Sequence, residues 1–418
     1  MRENKYIYVV ALVVALGGFL MGFDASVISG VNRFIEIEFD LSKIELGWAV
    51  ASLTLSATFS MLVAGPLSDK IGRKKVLSLA AILYSVSAIG SALAPSFLIL
   101  VIAREIGGLG VGASLIVAPM YIAEMAPPKI RGSLVSINQL NIVLGISVAF
   151  FTNYMILQLG QSDAAWAQAL MFDAYNWRWM LGLETLPAIV YFIGLFFVPD
   201  SPRWLIMKER FGEARDVLAK FNPADKVPDI FNTVKKSFEA DKDLEKRTIK
   251  DLFKPALKLV LLVGVVIGVL QQITGINAVF FYAPIIFEQS GIGTDASFVQ
   301  AIFVGLVNLG FTILAILFID KLGRKPLLIA GLAGITICMG LLSYEFSRAT
   351  YTVEADRLSE LPEAITEQQM APMVGVVYDN DLAFKEALAN TLGEETALAN
   401  ESQLITIAAD INATLILI

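Results

Sequence analysis

The sequence predicts an all-α integral membrane protein, on three observations. Hydrophobic residues make up 56% of its 418 residues, and the mean hydropathy is +0.67. Charged residues are only 17%, against about 25% in a soluble domain. Nine apolar runs are long enough to cross a bilayer, which takes about 20 residues of helix.

The runs fall at about 6–30, 46–67, 76–94, 97–123, 133–158, 178–199, 258–287, 296–319 and 326–345. Pro95 divides the third from the fourth, where the apolar stretch would otherwise be continuous. The first run is too long for a cleavable leader and has no small-residue cleavage site. It ends unusually: the uncharged stretch from Tyr6 to Phe23 is followed by Asp24. An ionised group at membrane depth is costly and marks a pathway or a proton relay.

Lys and Arg in short loops set the orientation. "SDKIGRKK", "PPKIRG" and "DKLGRKP" follow spans 2, 4 and 8 and carry nine basic residues. The loops after spans 1, 3, 5 and 7 hold only Arg33 and Lys43. This places the N-terminus in the cytoplasm of a multi-pass protein of the cell inner (plasma) membrane. The expected organisation is a six-span half at 1–199 and a cytoplasmic linker with short helices at 200–257. Spans 7 to 9 follow at 258–345, an acidic extracellular loop at 346–403, and the opening of a tenth span at 404–418.

The net charge of −7 is local. From Ser347 to Ile418 twelve acids face Arg348, Arg357 and Lys385, a balance of −9, which leaves +2 for the rest. No basic cluster suggests nucleic acid. Cys338 is the one cysteine, so no internal disulfide can form. There is no histidine, so proton chemistry near neutral pH falls to carboxylates. No metal site is expected, and no cofactor other than a coupling proton. No nucleophile–base pair or phosphate loop is present, so an enzyme is not expected.

An internal repeat is visible. "SDKIGRKKVL" (68–77) and "IDKLGRKPLL" (319–328) each follow the second span of a six-span unit. Parallel repeats of this kind build large transporters from two halves.

With that repeat the chain resembles the sugar porter family of the major facilitator superfamily. The residues are "GFDASVISG", "GPLSDKIGRKK", "REIGGLGVG", "PMYIAEMAPPKIRG", "SINQLNIV", "WRWMLGLE", "PDSPRWL", "QQITGINAVFFYAP", "GLVNLGFT" and "DKLGRKP", in that order over about residues 6–345. The resemblance implies a major facilitator fold, with about nine of twelve spans present. The second half's own "E…RG" and "P-E" loops are missing, and we expect a fragment whose last three spans lie outside it.

Three sets of candidate residues follow. Asp24, Arg104 and Glu184 each lie six or seven residues from the outer ends of their spans, roughly 10 Å deep at 1.5 Å per residue. They can form one buried cluster, either a permanent structural ion pair or the proton-coupling group that the resemblance implies. Passive members commonly lack the first-span acid, so Asp24 favours a symporter.

Gln271, Gln272 and Asn277 in span 7 and Asn308 in span 8 lie near mid-depth, where transporter sites sit. Amides donate and accept, which suits a polyol; the alternative is hydrogen bonding between helices. Gln139 in span 5 matches the family's sugar-contacting glutamine. Phe281 and Tyr282 can cover a sugar or simply pack, and Phe281 stands where the family often has tyrosine.

The third set is a cytoplasmic gate: Asp69, Arg73, Glu124, Arg131, Glu213, Asp320 and Arg324. The resemblance implies acid–base pairs that latch the two halves in the outward-facing state. Glu213 comes from the "RFGEA" stretch rather than a motif match.

The expected function is monosaccharide transport by alternating access with proton symport, by a monomer in the lipid bilayer. The alternatives are a passive uniporter and a sugar sensor on a transporter fold.

Overall fold

The computed structural model describes residues 2–127, 130–223, 225–243, 254, 257–288, 294–362 and 365–410. Among them nine helices or helix pairs are long and apolar enough to cross a membrane. Spans 1 to 5 are Arg2–Glu38, Lys43–Ile71, Arg73–Ala92, Phe97–Met125 and Arg131–Gly160. Span 6 is two helices, Asn176–Gly182 and Thr185–Phe196, and span 7 is Lys258–Ile273 and Ile276–Phe281. Spans 8 and 9 are Thr294–Leu322 and Arg324–Ser347.

Both interruptions have local causes. Pro187 has no N–H for the carbonyl of Leu183, four residues back. The chain tightens there, with Leu186 bonding to Leu183 at 3.2 Å, and Glu184 falls at the break. In span 7, Gly275 takes a φ of +79°, a left-handed value that costs glycine little.

The repeat is structural as well as sequential. Gly72 and Gly323 end spans 2 and 8 with φ of +105° and +82°. Their N–H groups bond to Ser68 at 2.9 Å and Ile319 at 3.1 Å, respectively. The repeated "DKxGRK" therefore supplies the glycine that turns each span into the next.

The chain divides into Met1–Asn277 and Ala278–Ile418. In the first unit, a core through spans 1, 3, 4 and 6 includes Val14, Leu77, Val117 and Leu195 and continues into the linker through Leu205, Leu218 and Phe231. The linker helices are Pro202–Met207, Phe211–Phe221 and Val227–Asp243. Spans 1 and 5 meet backbone to backbone: a Cβ on Gly22 would lie 1.9 Å from the carbonyl oxygen of Ile142, and one on Gly145 2.1 Å from that of Phe19. Small residues permit this approach between membrane helices. The turn at Gly72 and the start of span 5 mark one end of the unit, which we call the basic end.

In the second unit, Ala283–Glu288 packs on span 8 and buries Phe287 against a face containing Phe298 and Ala301. The acidic segment, expected as a loop, is a folded element. Strands β1 (Thr350–Thr352), β2 (Val377–Tyr378) and β3 (Ala409–Asp410) form an antiparallel sheet in the order β2-β1-β3. Helices Asp381–Leu392 and Glu394–Ala408 complete it. Tyr351 stacks on Phe384 at 5.5 Å, in a core with Val353, Met370, Leu388 and Leu404. Residues 404–410, expected to open a tenth span, instead contribute Leu404, Ile405, Ala408 and Ala409 to this core. Residues 411–418 lie outside the described residues.

Candidate functional site

Asp24, Arg104 and Glu184 are brought together. Their exposures are 2%, 1% and 2%. Arg104 Nη1 is 3.3 Å from Asp24 Oδ1, and Arg104 Nε donates to the carbonyl of Ala49 at 3.1 Å. Glu184, on the break in span 6, interacts electrostatically with both Asp24 and Arg104. Gly107 keeps the space beside the pair open: a Cβ there would lie 3.0 Å from Asp24 Oδ2 and 2.4 Å from Ser87 Oγ.

The cluster is incompletely satisfied. Asp24 Oδ2, Arg104 Nη2 and Glu184 Oε1 have no hydrogen-bond partner among the described residues. Two carboxyls share one guanidinium that directly bonds only one of them. Each member therefore keeps a further hydrogen-bonding position beyond the contacts it makes among the described residues.

At the basic end the arrangement differs. Arg73 grips Glu124 with two bonds, Nε to Oε2 at 3.1 Å and Nη2 to Oε1 at 3.0 Å. It also reaches Asp69 at 2.8 Å and the carbonyl of Ser68 at 3.1 Å. The Ser201 hydroxyl donates to Glu124 Oε2. "PDSPRWL" explains the last contact. Ser201 caps the helix Pro202–Met207 by accepting from the N–H of Trp204, and Pro202 sits in its first turn, where its missing N–H costs nothing. Trp204 Nε1 then donates to the Asp69 carbonyl at 3.2 Å, and its ring covers Gly72.

Two predicted gate residues sit apart from this network. Arg131 donates to the carbonyl of Ala126 at 3.4 Å and makes no ion pair among the described residues. Glu213 takes two hydrogen bonds from Arg210, at 2.7 and 2.5 Å. Those bonds hold its carboxyl below the usual carboxylate range and push the Arg210 guanidinium up. Arg210 is also 3.9 Å from Asp200, so Glu213 borders the network through Arg210. Arg324 is exposed at the start of span 9, and the Asp320 side chain lies outside what the structure describes.

Of the amides, Asn277 Nδ2 donates to Gln272 Oε1 at 2.8 Å across the Gly275 break. Gln271, Gln272, Asn277 and Gln139 are exposed, while Asn308, Phe281 and Tyr282 are half-buried. A cavity of about 700 Å³ lies at the end of the first unit opposite the basic end, lined by Ala92, Leu93, Leu170, Trp179, Gly182 and Leu186 among others. Its mostly apolar wall offers a polyol few partners.

Several polar residues escaped the sequence reading. Glu38 accepts from Trp177 Nε1 at 2.5 Å and Arg178 Nη2 at 2.8 Å, joining the ends of spans 1 and 6. The "WRW" motif held that signal. Tyr84, Ser114 and Tyr191 are buried among spans 3, 4 and 6, and nothing in their apolar surroundings marks them.

The family described as "Sugar (and other) transporter" matches residues 10–358. The chain belongs to the sugar porter family of the major facilitator superfamily. The arabinose-proton symporter of Bacillus subtilis (strain 168) is 36% identical over 341 residues, 82% of this chain and 71% of that protein. The D-xylose-proton symporter of Escherichia coli (strain K12) is 36% identical over 370 residues, covering 82% and 73%. A solved structure, described as a partially occluded inward open conformation of the xylose transporter XylE from E. coli, superposes with a TM-score of 0.69 at 31% identity. That match covers 99% of this chain and 91% of that one.

Proposed function

We propose that this sugar porter carries a monosaccharide across the plasma membrane by alternating access, in symport with a proton. The observation that carries the reading is the buried Asp24–Arg104–Glu184 cluster, in which three polar atoms lack partners among the described residues. Protonating Asp24 weakens its hold on Arg104 and frees the guanidinium for Glu184. Coupling requires only that this exchange favour one conformation over the other. The relatives' printed names, arabinose-proton and D-xylose-proton symporter, support both the solute class and the proton.

The other roles follow. Gln139, Gln271, Gln272, Asn277 and Asn308 contact the sugar hydroxyls, with Phe281 and Tyr282 beside them. Asp69, Arg73 and Glu124 form the first half's part of the cytoplasmic gate, and Asp320 and Arg324 the second half's. Arg131 and Glu213 flank it. The basic end faces the cytoplasm, as does the N-terminus, and the working unit is a monomer without a cofactor.

Asp24→Asn tests the reading. It keeps the shape and removes the titrating group. Proteoliposomes carrying the full chain should lose accumulation of labelled monosaccharide against its gradient, while exchange of labelled for unlabelled sugar persists. Accumulation at the parent rate would exclude Asp24 as the coupling acid.

A further inference from the structure

A second polar layer lies inward of the charged one. Tyr84, Ser114 and Tyr191 come from spans 3, 4 and 6, and their exposures are 0%, 1% and 0%. Tyr84 donates to the carbonyl of Gly17 at 3.3 Å. Ser114 Oγ stands beside both phenols, but neither Ser114 Oγ nor the Tyr191 hydroxyl has a hydrogen bond of good geometry among the described residues. Buried hydroxyls without partners are uncommon and call for an explanation.

The helices aim these groups at one place. Glu184, Ala188, Tyr191 and Leu195 form the buried stripe of span 6, at the spacing of one helix face. Tyr191 is two turns from Glu184, and a helical side chain leans toward the N-terminus of its helix. Its hydroxyl therefore reaches back toward Glu184. On span 1, Gly17 is two turns from Asp24. A Cβ on Gly17 would lie 2.8 Å from the Tyr191 hydroxyl and 3.1 Å from Ser114 Oγ, so both hydroxyls close onto bare backbone. Tyr84 interacts electrostatically with Asp24, Glu184 and Tyr191. Its hydroxyl lies at the same Gly17 backbone that Tyr191 and Ser114 close onto, two turns from Asp24 on span 1. The ionisable groups facing this layer are Asp24 from span 1, Tyr84 from span 3, Arg104 from span 4, and Glu184 and Tyr191 from span 6.

We propose that Tyr84, Ser114 and Tyr191 form a hydroxyl chain that carries the proton inward from the Asp24–Glu184 carboxyls, with Gly17 keeping the chain closed. The proton leaves a carboxyl for the Tyr84 oxygen as Tyr84 releases its own proton to Ser114. Ser114 passes one to Tyr191 in the same way, and Tyr191 gives one to water entering from the basic end. Each hydroxyl accepts one proton and gives one, so none keeps a charge. For this to happen Tyr84 must turn its proton from the Gly17 carbonyl to Ser114 Oγ, which stands beside both phenols and is placed to take it.

The idea rests on the proton-coupling reading, and the test separates the two. Uphill uptake and equilibrium exchange of the labelled monosaccharide that the parent accumulates are measured in proteoliposomes, for the parent, Asp24→Asn, Tyr191→Phe, Ser114→Ala and Gly17→Ala. The ratio of uphill uptake to exchange should fall about tenfold in Tyr191→Phe and in Ser114→Ala. Gly17→Ala should act in the same direction by pushing the Tyr191 hydroxyl away. If Asp24→Asn loses uphill uptake while Tyr191→Phe and Ser114→Ala keep the parent ratio, the chain is wrong and the coupling reading stands. If Asp24→Asn keeps uphill uptake, both fall. Uptake and exchange declining together in the hydroxyl variants would make the layer structural and also overturn the proposal. Should Tyr191→Phe fail to fold, the ratio in Ser114→Ala decides.

Discussion

The ionic clusters around Arg104 and Arg73, both in the first unit of this chain, differ in how completely their charges are answered. Around Arg104 three buried groups leave Asp24 Oδ2, Arg104 Nη2 and Glu184 Oε1 without partners among the described residues. Around Arg73 the guanidinium binds Glu124 twice, Asp69 and a carbonyl, and Ser201 fills a further position on Glu124. Exposure differs too. Asp69 is 56% exposed and Glu124 8%, against 2% for Asp24 and Glu184. A saturated cluster with access to water suits a latch that holds one arrangement. An unsaturated one sealed from water suits a switch, because each of its members has an alternative bond to make.

Removing each arginine separates the two most strongly. Arg104→Ala strands two carboxyls where neither reaches water. Breaking one partner of a buried pair costs about 3–5 kcal/mol. The folded fraction after a thermal ramp in detergent should fall accordingly, and adding Asp24→Asn should restore part of it. A loss below about 1 kcal/mol would mean that the cluster is hydrated.

Arg73→Ala should cost less, about 1–3 kcal/mol, the range for an unmade buried hydrogen bond. Glu124 keeps Ser201, and Asp69 turns to solvent. The same thermal ramp checks this. If Arg73→Ala proves the more damaging of the two, the latch and the switch have been assigned the wrong way round.

Much of this was readable before any coordinates. The Asp24–Arg104–Glu184 triad follows from depth counting, since a charge in an apolar run stands out and helical rise places it. The "DKxGRK" repeat was likewise visible, though the matching positive-φ turns at Gly72 and Gly323 emerged only with the structure. The break in span 6 was missed because Pro187 passes for one more residue of an apolar span, and hydropathy does not register a lost N–H. Tyr84 and Tyr191 were missed because an aromatic ring satisfies an apolar pattern whether or not its hydroxyl has a partner. The acidic segment was misread for the opposite reason. Its surface charge hid Tyr351, the Phe384–Leu388 face of one helix, and Leu404, three parts of the segment that meet in one core.

The smallest effect tests the edge of the gate. Glu213 and Arg210 pair at the surface, 57% and 42% exposed. Solvent and salt screen such a pair, so Glu213→Gln should leave transport intact and lower thermal stability only slightly. The pH dependence identifies the cause. Hydrogen bonds from Arg210 lower the Glu213 carboxyl in the folded protein. A group lowered on folding contributes stability above its unfolded value and loses that contribution as pH falls through its folded value. The parent should therefore hold a small thermal advantage over Glu213→Gln at neutral pH, which shrinks through the acid range and under high salt. A loss of transport in Glu213→Gln at neutral pH, with stability unchanged, would instead bring Glu213 into the gate alongside Arg73 and Glu124.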